Sequence, residues 1–195
     1  MAKLENLSNN GLSELKGYLY NMLEDCPNSY FDGDLRGSQL KFKMNFNVEN
    51  LTEHEVNILT KYGLIVNNSR FKNNHSKVQV FMLEHDNKTV AMEIPIWVKK
   101  DEVNSYGNLF GLNNFLTGHI DILRIEDGKI WVWDYKPNAQ RENYATTQVY
   151  FYALMLAKRA NIDLKHFMCG YFDSNFTYTF DPSAKNDLKI FKKGL

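Results

Sequence analysis

The sequence predicts an α/β (α+β) protein in which helices flank a β-hairpin. Residues 118–137 contain two runs rich in Ile, Val and Trp on either side of Asp127-Gly128, a dipeptide that tolerates a two-residue type I′ turn well. Residues 8–24 and 142–160 repeat apolar side chains at spacings of three and four, as amphipathic helices do. Together these patterns predict a hairpin between an N-terminal and a C-terminal helix.

Length and composition favour one domain. The chain has 195 residues, of which 44% are hydrophobic, enough for one core and too few for two comfortable domains. We expect an N-terminal helical part over residues 1–75, a core over residues 76–180 and a polar tail over residues 181–195.

Charge and cysteine content limit the classes of function. Lys plus Arg equals Asp plus Glu at 23 each, so any contact with nucleic acid must come from local patches. Cys26 and Cys169 cannot form a disulfide framework or a CxxC metal site, which favours a reduced compartment. The N-terminus does not resemble a signal peptide, and no apolar run approaches the ~20 residues of a membrane span. The sequence therefore predicts a soluble intracellular (cytoplasmic) protein with no membrane association.

Four further runs are strand candidates. They cover residues 78–83, 89–98, 166–172 and 176–180. Glu93 lies within the second run, and because an unpaired buried carboxylate is costly, we expect it on a wet face or held by a partner. Pro95 cannot donate to a sheet ladder, so this strand is an edge strand or contains a bulge.

Three other segments carry weaker signals. Residues 40–46 alternate apolar side chains with Lys41 and Lys43, which indicates either a half-buried strand or a DNA-facing segment. Thr52 and Glu55 resemble a capping box that opens a helix, which Gly63 would end. Residues 99–116 are rich in Asn and Gly and indicate a loop that is either solvated or folded over a functional site.

The hairpin turn predicts a register and, with it, a charged cluster. Leu123 would face Val132, Asp121 would face Asp134 and His119 would face Lys136. Two opposed carboxylates with β-carbons roughly 5 Å apart repel each other. A divalent cation bound to both would compensate, and Lys136 adds a positive charge to the same face. The pattern thus indicates a hydrolytic metal site, and the alternative is a solvated hairpin face with scattered charges.

The candidate site residues follow one another along the chain in a recognisable order. A strand with Glu93 precedes Gly118-x-x-Asp121, Asp134-x-Lys136 and, on one side of the C-terminal helix, Gln148-x-x-x-Tyr152. Over residues 92–172 this order resembles the PD-(D/E)XK nuclease superfamily and, within it, the RecB-like group. The resemblance implies a restriction-endonuclease-like αβββαβ core, with a mixed central sheet flanked by helices and an N-terminal helical extension.

The resemblance also implies roles for individual residues. Asp121 and Asp134 would bind the metal, and Lys136 would contact the scissile phosphate or position water, with Tyr135 in the variable position between them. Glu93 would assist the metal site. Gln148 and Tyr152 would contact DNA and support the active site. The upstream histidine of the RecB-like group, a further candidate metal ligand, would be His54 or His119.

The implied function is Mg²⁺- or Mn²⁺-dependent hydrolysis of single- or double-stranded DNA, in DNA repair or defence. An oxygen-rich carboxylate site suits these hard cations better than zinc. Relatives with an iron-sulphur cluster use four cysteines, and because this chain has two, we expect no such cluster. Two alternatives remain open, namely a non-catalytic DNA-binding module on a nuclease fold and an RNase. The sequence does not identify a protein partner.

Overall fold

The computed structural model describes residues 3, 5, 7, 12–26, 28–32, 35–103 and 115–184. Within these ranges the longer helices are α1 (Ser13–Asp25), α2 (Glu55–Val66), α3 (Asn74–His85) and α4 (Ala145–Ala160). The strands are β1 (Leu35–Arg36), β2 (Glu49–Leu51), β3 (Thr89–Lys99), β4 (Phe115–Glu126), β5 (Lys129–Tyr135), β6 (Phe167–Phe172) and β7 (Thr177–Phe180). The strands predicted over residues 89–98, 166–172 and 176–180 are confirmed to within one residue at each end.

The strands form one mixed sheet in the order β1-β4-β5-β6-β7-β2, with β3 paired to β4. The β1–β4 and β5–β6 pairs are parallel and the others are antiparallel. The succession α3-β3-β4-β5-α4-β6 is the predicted αβββαβ core, so the predicted fold class is confirmed. Among the described strands β3 pairs only with β4, which makes it an edge strand, one of the two alternatives that Pro95 indicated.

Helix α4 covers one face of the sheet. Its predicted stripe of Ala145, Val149, Tyr152 and Leu156 is buried, as expected for the face that packs on strands. The helix begins at Ala145, three residues later than predicted, and a short 3₁₀ turn at residues 139–141 precedes it. There the Ala139 N–H donates to Asp173 Oδ2 at 2.9 Å, which ties the turn to the end of β6.

Helices α2 and α3 border a second core on Trp133 and Ile122. The strand predicted over residues 78–83 is wrong, because these residues lie within α3. The β-branched valines there suggested a strand, but Val78 and Met82, four residues apart, form one buried helical stripe. Asn73 caps this helix by accepting the His75 N–H at 2.9 Å.

Two other local predictions for the N-terminal part are also wrong. Helix α2 is capped by His54 Nδ1, which accepts the Val56 N–H at 3.3 Å, and not by Thr52. Gly63 lies inside α2 and does not end it. A Cβ on Gly63 would lie 3.0 Å from Phe81 Cβ, so the glycine lets α2 and α3 approach closely.

Residues 40–46 keep the predicted burial pattern without forming a strand. Leu40, Met44 and Phe46 are buried while both lysines are exposed. The backbone is held by α4. Thr147 Oγ1 donates to the Phe42 carbonyl at 2.8 Å and accepts the Met44 N–H at 3.1 Å. The backbone of this extended segment is therefore hydrogen-bonded to Thr147 of α4.

The predicted hairpin turn is confirmed. Asp127 and Gly128 both have positive φ, at 50° and 71°, as a type I′ turn requires. The predicted pair Leu123–Val132 is found, but the β4–β5 ladder ends at Ile122–Trp133. The predicted pairs Asp121–Asp134 and His119–Lys136 are therefore not part of it. Beyond Ile122 the edge of β4 that pairs with β5 takes another partner, because Leu116 and Thr117 pair with Leu35 and Arg36 of β1.

An ion-pair network lies at the turn end of the hairpin. The Arg124 side chain is fully buried, and its Nε lies 2.8 Å from Asp86 Oδ2. Its Nη2 lies 2.6 Å from Glu55 Oε2, and Nη1 lies 3.3 Å from Glu126 Oε2. The guanidinium thus joins α2, the α3–β3 connection and β4.

Parts of three predictions lie outside the described residues. They are the start of the first helix at residues 8–11, the loop at residues 104–114 and the tail at residues 185–195. Among the described helices, none is long and apolar enough to cross a membrane.

Candidate active site

Asp134 is the most buried carboxylate of the predicted site. It is the next-to-last residue of β5, with 2% of its surface exposed. Its Oδ1 accepts a hydrogen bond from Gln148 Nε2 at 3.1 Å, and its Oδ2 lies 2.7 Å from Lys136 Nζ. The lysine contact is a close ion pair, so the Asp134 carboxylate has a charged partner on one oxygen and an amide donor on the other.

Asp121 lies where β4 changes the faces of its side chains. Ile120 and Leu123 both belong to the core beneath α4, whereas Ile122 belongs to the core beside α3. Strict alternation would put Ile120 and Ile122 on the same side, so the alternation breaks at Asp121. Its Oδ2 accepts the Tyr135 N–H at 2.9 Å. The carboxylate thus lies where the β4–β5 ladder opens.

The two carboxylates are electrostatically coupled. Burial, followed by the negative charge of Asp121, raises the pKa of Asp134 to about 7, while Lys136 opposes the rise. Burial alone would lower the pKa of Lys136, but Asp134 and Asp121 outweigh it and raise that pKa. The lysine is therefore a cation at neutral pH, held beside two acidic groups.

Helix α4 brings Gln148 and Tyr152 to this cluster. Gln148 Nε2 lies 3.0 Å from the Tyr152 hydroxyl oxygen as well as 3.1 Å from Asp134 Oδ1. Burial, reinforced by Asp134, raises the pKa of Tyr152, so its hydroxyl stays protonated at neutral pH. The predicted shared side of these two residues is thus observed, and it connects α4 to the end of β5.

Helix α3 contributes two residues that the sequence analysis missed. His75 Nδ1 lies 3.3 Å from Asp121 Oδ2, and this contact raises the pKa of His75 against the effect of burial. One turn later, Gln79 Nε2 donates to Glu93 Oε1 at 2.5 Å. Glu93 has a φ of 51°, a left-handed conformation that is rare within a strand. The missed signal was Asn73, whose capping position would have placed His75 in the first turn of a helix.

The structure separates the two predicted histidines. His54 caps α2, its ring lies 5.5 Å from that of Trp133, and its charged neighbours are Glu126 and Arg124 at the turn end of the hairpin. It is not brought to the carboxylates. His119 is exposed and its charged neighbours include Glu93 and Asp121, so it lies at the rim of the cluster.

The donor set is suited to a hard divalent cation. Among the described residues, no three His, Cys, Asp or Glu side chains converge on one point as they stand. Asp121 and Asp134 nevertheless supply carboxylate oxygens, and the negative charge of Asp121 raises the pKa of the buried Asp134. Their mutual repulsion is what a bound Mg²⁺ or Mn²⁺ would relieve. The two thiols lie elsewhere: Cys26 is half-buried at the end of α1, and Cys169 is buried in β6.

Comparison with known proteins identifies the family of this chain. The family model of the PD-(D/E)XK nuclease superfamily matches residues 51–188, well over half of the chain. The match includes both aspartates, Lys136 and the two residues on α4. No curated protein sequence matches the chain. The chain therefore belongs to the PD-(D/E)XK nuclease superfamily.

Proposed function

We propose that this protein is a nuclease of the RecB-like group that hydrolyses DNA phosphodiester bonds with Mg²⁺ or Mn²⁺. The observation that carries the proposal is the buried Asp134, whose carboxylate is coupled to Asp121, ion-paired with Lys136 and bonded to Gln148. A sheet that only bound DNA would gain nothing from burying a carboxylate beside another one. The superfamily match supports the nuclease chemistry.

Asp121 and Asp134 would hold the metal. When bound, the ion lowers the pKa of a water molecule and stabilises charge on the phosphoryl oxygens. The protein prepares for this by fixing both carboxylates: the Tyr135 N–H orients Asp121, and Gln148 orients Asp134. Glu93, held by Gln79, would assist from the neighbouring strand.

Lys136 would neutralise the negative charge that develops on the phosphate. The Lys136 side chain is accessible to solvent, since 17% of it is exposed, and its pKa is raised. The ammonium lies against Asp134, and it would turn towards a phosphate oxygen of the substrate, where a fixed positive charge stabilises the transition state.

Gln148 and Tyr152 would support the site and contact DNA. The single Gln148 amide nitrogen lies within hydrogen-bond distance of both Asp134 and Tyr152, so the tyrosine limits the rotation of the amide. The Tyr152 hydroxyl can still donate its own proton, and its raised pKa keeps that proton in place. A phosphate oxygen is a suitable acceptor.

The proposal is tested by digestion of end-labelled single- and double-stranded DNA and of RNA. We expect the protein to cut DNA with Mn²⁺ or Mg²⁺ and to stop when EDTA is added. Binding of DNA without cutting would favour a non-catalytic module, and cutting of RNA alone would favour an RNase. A folded protein that neither cuts nor binds nucleic acid contradicts the proposal.

Substitution of Lys136→Met should reduce kcat by about 10²-fold, because it removes one charge that stabilises the transition state. Lys129→Met is the matched control, since Lys129 lies at the other end of the same strand, where its Nζ donates to the Lys165 carbonyl at 2.6 Å. It should leave kcat unchanged. Equal rates for the two variants would remove Lys136 from the site. Circular dichroism checks that both variants fold.

We predict that His75, and not His54, supports catalysis. Because His75 contacts Asp121, His75→Ala should lower kcat about tenfold or more, as losses next to metal ligands commonly do. His54→Asn keeps a good N-cap residue on α2 and should leave kcat unchanged. Titration with Mn²⁺ should show weaker binding for His75→Ala alone. The opposite result would restore His54 as the upstream histidine.

A further inference from the structure

Two glycines, Gly37 and Gly118, pack closely against the ring of Tyr152. A Cβ on Gly118 would lie 2.4 Å from Tyr152 Cε1, and a Cβ on Gly37 would lie 2.6 Å from the same atom. For each glycine, the three nearest atoms to such a Cβ all belong to this ring. Gly37 directly follows β1 and Gly118 follows Thr117 in β4, and Arg36 of β1 pairs with Thr117.

Gly37 needs to be glycine because of the ring and not because of its backbone. Among the described glycines, only Gly128 has a positive φ. Alanine would therefore fit the backbone at position 37, and the close obstacle is the ring of Tyr152. The tyrosine cannot easily move, since its residue is 4% exposed and packed within the core beneath α4. A methyl group at 2.6 Å from a ring carbon must displace either the ring or the β1 segment by about 1 Å.

The same N-terminal segment is attached to α4 a second time. Thr147 holds the backbone of Phe42 and Met44, and it immediately precedes Gln148. Residues 37–44 thus contact α4 at Thr147 and at Tyr152, one residue before and four residues after Gln148. They lie outside residues 51–188, the part that matches the superfamily.

We propose that Gly37 is a positioning residue of the active site, which sets the place of Tyr152 and, through Gln148, the orientation of Asp134. The inference rests on the proposed function insofar as Asp134 serves hydrolysis. It means that the segment before the matched region forms one wall of the active site. Displacing the ring would lengthen the 3.0 Å contact between the Tyr152 hydroxyl and Gln148 Nε2. The Gln148 amide could then rotate away from Asp134.

Gly37→Ala should therefore lower kcat about tenfold to a hundredfold with little change in KM, because a shift of about 1 Å at a catalytic group can have that effect. Gly17→Ala is the matched control. Gly17 lies in α1 and is exposed, and among the described residues no atom beyond its own helix lies within 4 Å of the place that a Cβ would take. It should keep the parent kcat. A Gly37→Ala variant with the parent kcat would overturn the proposal.

A double-mutant cycle tests whether the effect passes through the ring. Tyr152→Leu removes the ring carbon that the new methyl group would meet. In EDTA, Gly37→Ala should lower the melting temperature of the parent protein and leave that of Tyr152→Leu nearly unchanged. An equal loss in both backgrounds would overturn the proposal. If Gly37→Ala alone fails to fold, recovery of folding in the double variant supports the proposal, and continued unfolding overturns it.

This cycle does not depend on nuclease activity. If the parent protein cuts no nucleic acid, the proposed function fails, while the melting temperatures still decide whether Gly37 and Tyr152 are coupled. If the parent cuts DNA and the cycle shows no coupling, only the role of Gly37 fails.

Discussion

Replacement of Asp134 with Asn should reduce metal-dependent DNA hydrolysis by about 10³-fold or more, and it should also stabilise the metal-free protein at pH 8. The loss of activity follows because the amide cannot supply the charge that holds the cation. The gain in stability follows because Asp134 is buried and its ionised form is opposed by Asp121. The neutral amide has the same shape and removes this repulsion, while Lys136 keeps Asp121 and Glu142 as acidic neighbours.

The stability effect should depend on pH in a defined direction. An ordinary aspartate carboxyl has a pKa of 3.8, whereas the pKa of Asp134 in the folded protein is about 7. Between these values the folded protein holds a proton that the unfolded chain has released. The free energy of unfolding therefore falls as pH rises from 3.8 through 7. In Asp134→Asn this part of the pH dependence should be absent.

The measurement is thermal unfolding in EDTA at pH 5 and pH 8. We expect Asp134→Asn to raise the melting temperature more at pH 8 than at pH 5. Asp127→Asn is the matched control, because it lies in the same hairpin, is exposed, and leaves Asn-Gly, which also forms type I′ turns. It should change neither activity nor the pH dependence. A lower melting temperature for Asp134→Asn at pH 8 would contradict the electrostatic argument.

Replacement of Arg124 with Met should destabilise the protein by about 3–5 kcal/mol, the usual cost of removing one partner from a buried ion pair. Asp86 is 4% exposed and would lose the guanidinium 2.8 Å from its Oδ2. Thr89 Oγ1 would remain as a donor at 2.6 Å, but it brings no charge. Urea denaturation measures this loss as a lower midpoint with an unchanged slope.

Two comparisons make this result specific to the buried charge. Arg70 forms an exposed pair with Glu84, so Arg70→Met should affect stability far less. Asp86→Asn combined with Arg124→Met removes the stranded carboxylate and should recover part of the lost stability. The folded fraction of each variant should cut DNA normally, because the network lies at the opposite end of the hairpin from Asp134. Equal losses for the two arginine variants would show that burial does not govern the effect.

Much of the fold followed from local chemistry. The Asp127-Gly128 turn determined the first five residue pairs of the hairpin, and the apolar stripe of α4 predicted the face that packs on the sheet. These features depend on residues close in sequence. The extension of the register to Asp121 failed because it assumed unbroken pairing, whereas the partners of β4 change beyond Ile122. That change depends on β1, about 80 positions earlier in the chain.

The candidate site was predictable to a similar extent. Asp121, Asp134, Lys136, Gln148 and Tyr152 stand in spaced patterns, so sequence alone could nominate them. His75 and Gln79 carry no such pattern, and their place depends on α3, whose valines resemble those of a strand. Gly37 is noticed only when the ring above it is seen. For His75 the one local signal was the helix cap at Asn73, and the contacts of these residues with the site depend on long sequence separations.

The hairpin turn also offers a place for chemical attachment. Asp127 and Gly128 are exposed, and six positions separate Gly128 from Asp134 along β5. At about 3.3 Å per strand residue, the turn lies roughly 20 Å from the carboxylates. A fluorophore or a surface tether joined at position 127 would thus stand clear of the Asp121 and Asp134 carboxylates. The protein could be immobilised or observed one molecule at a time through this turn.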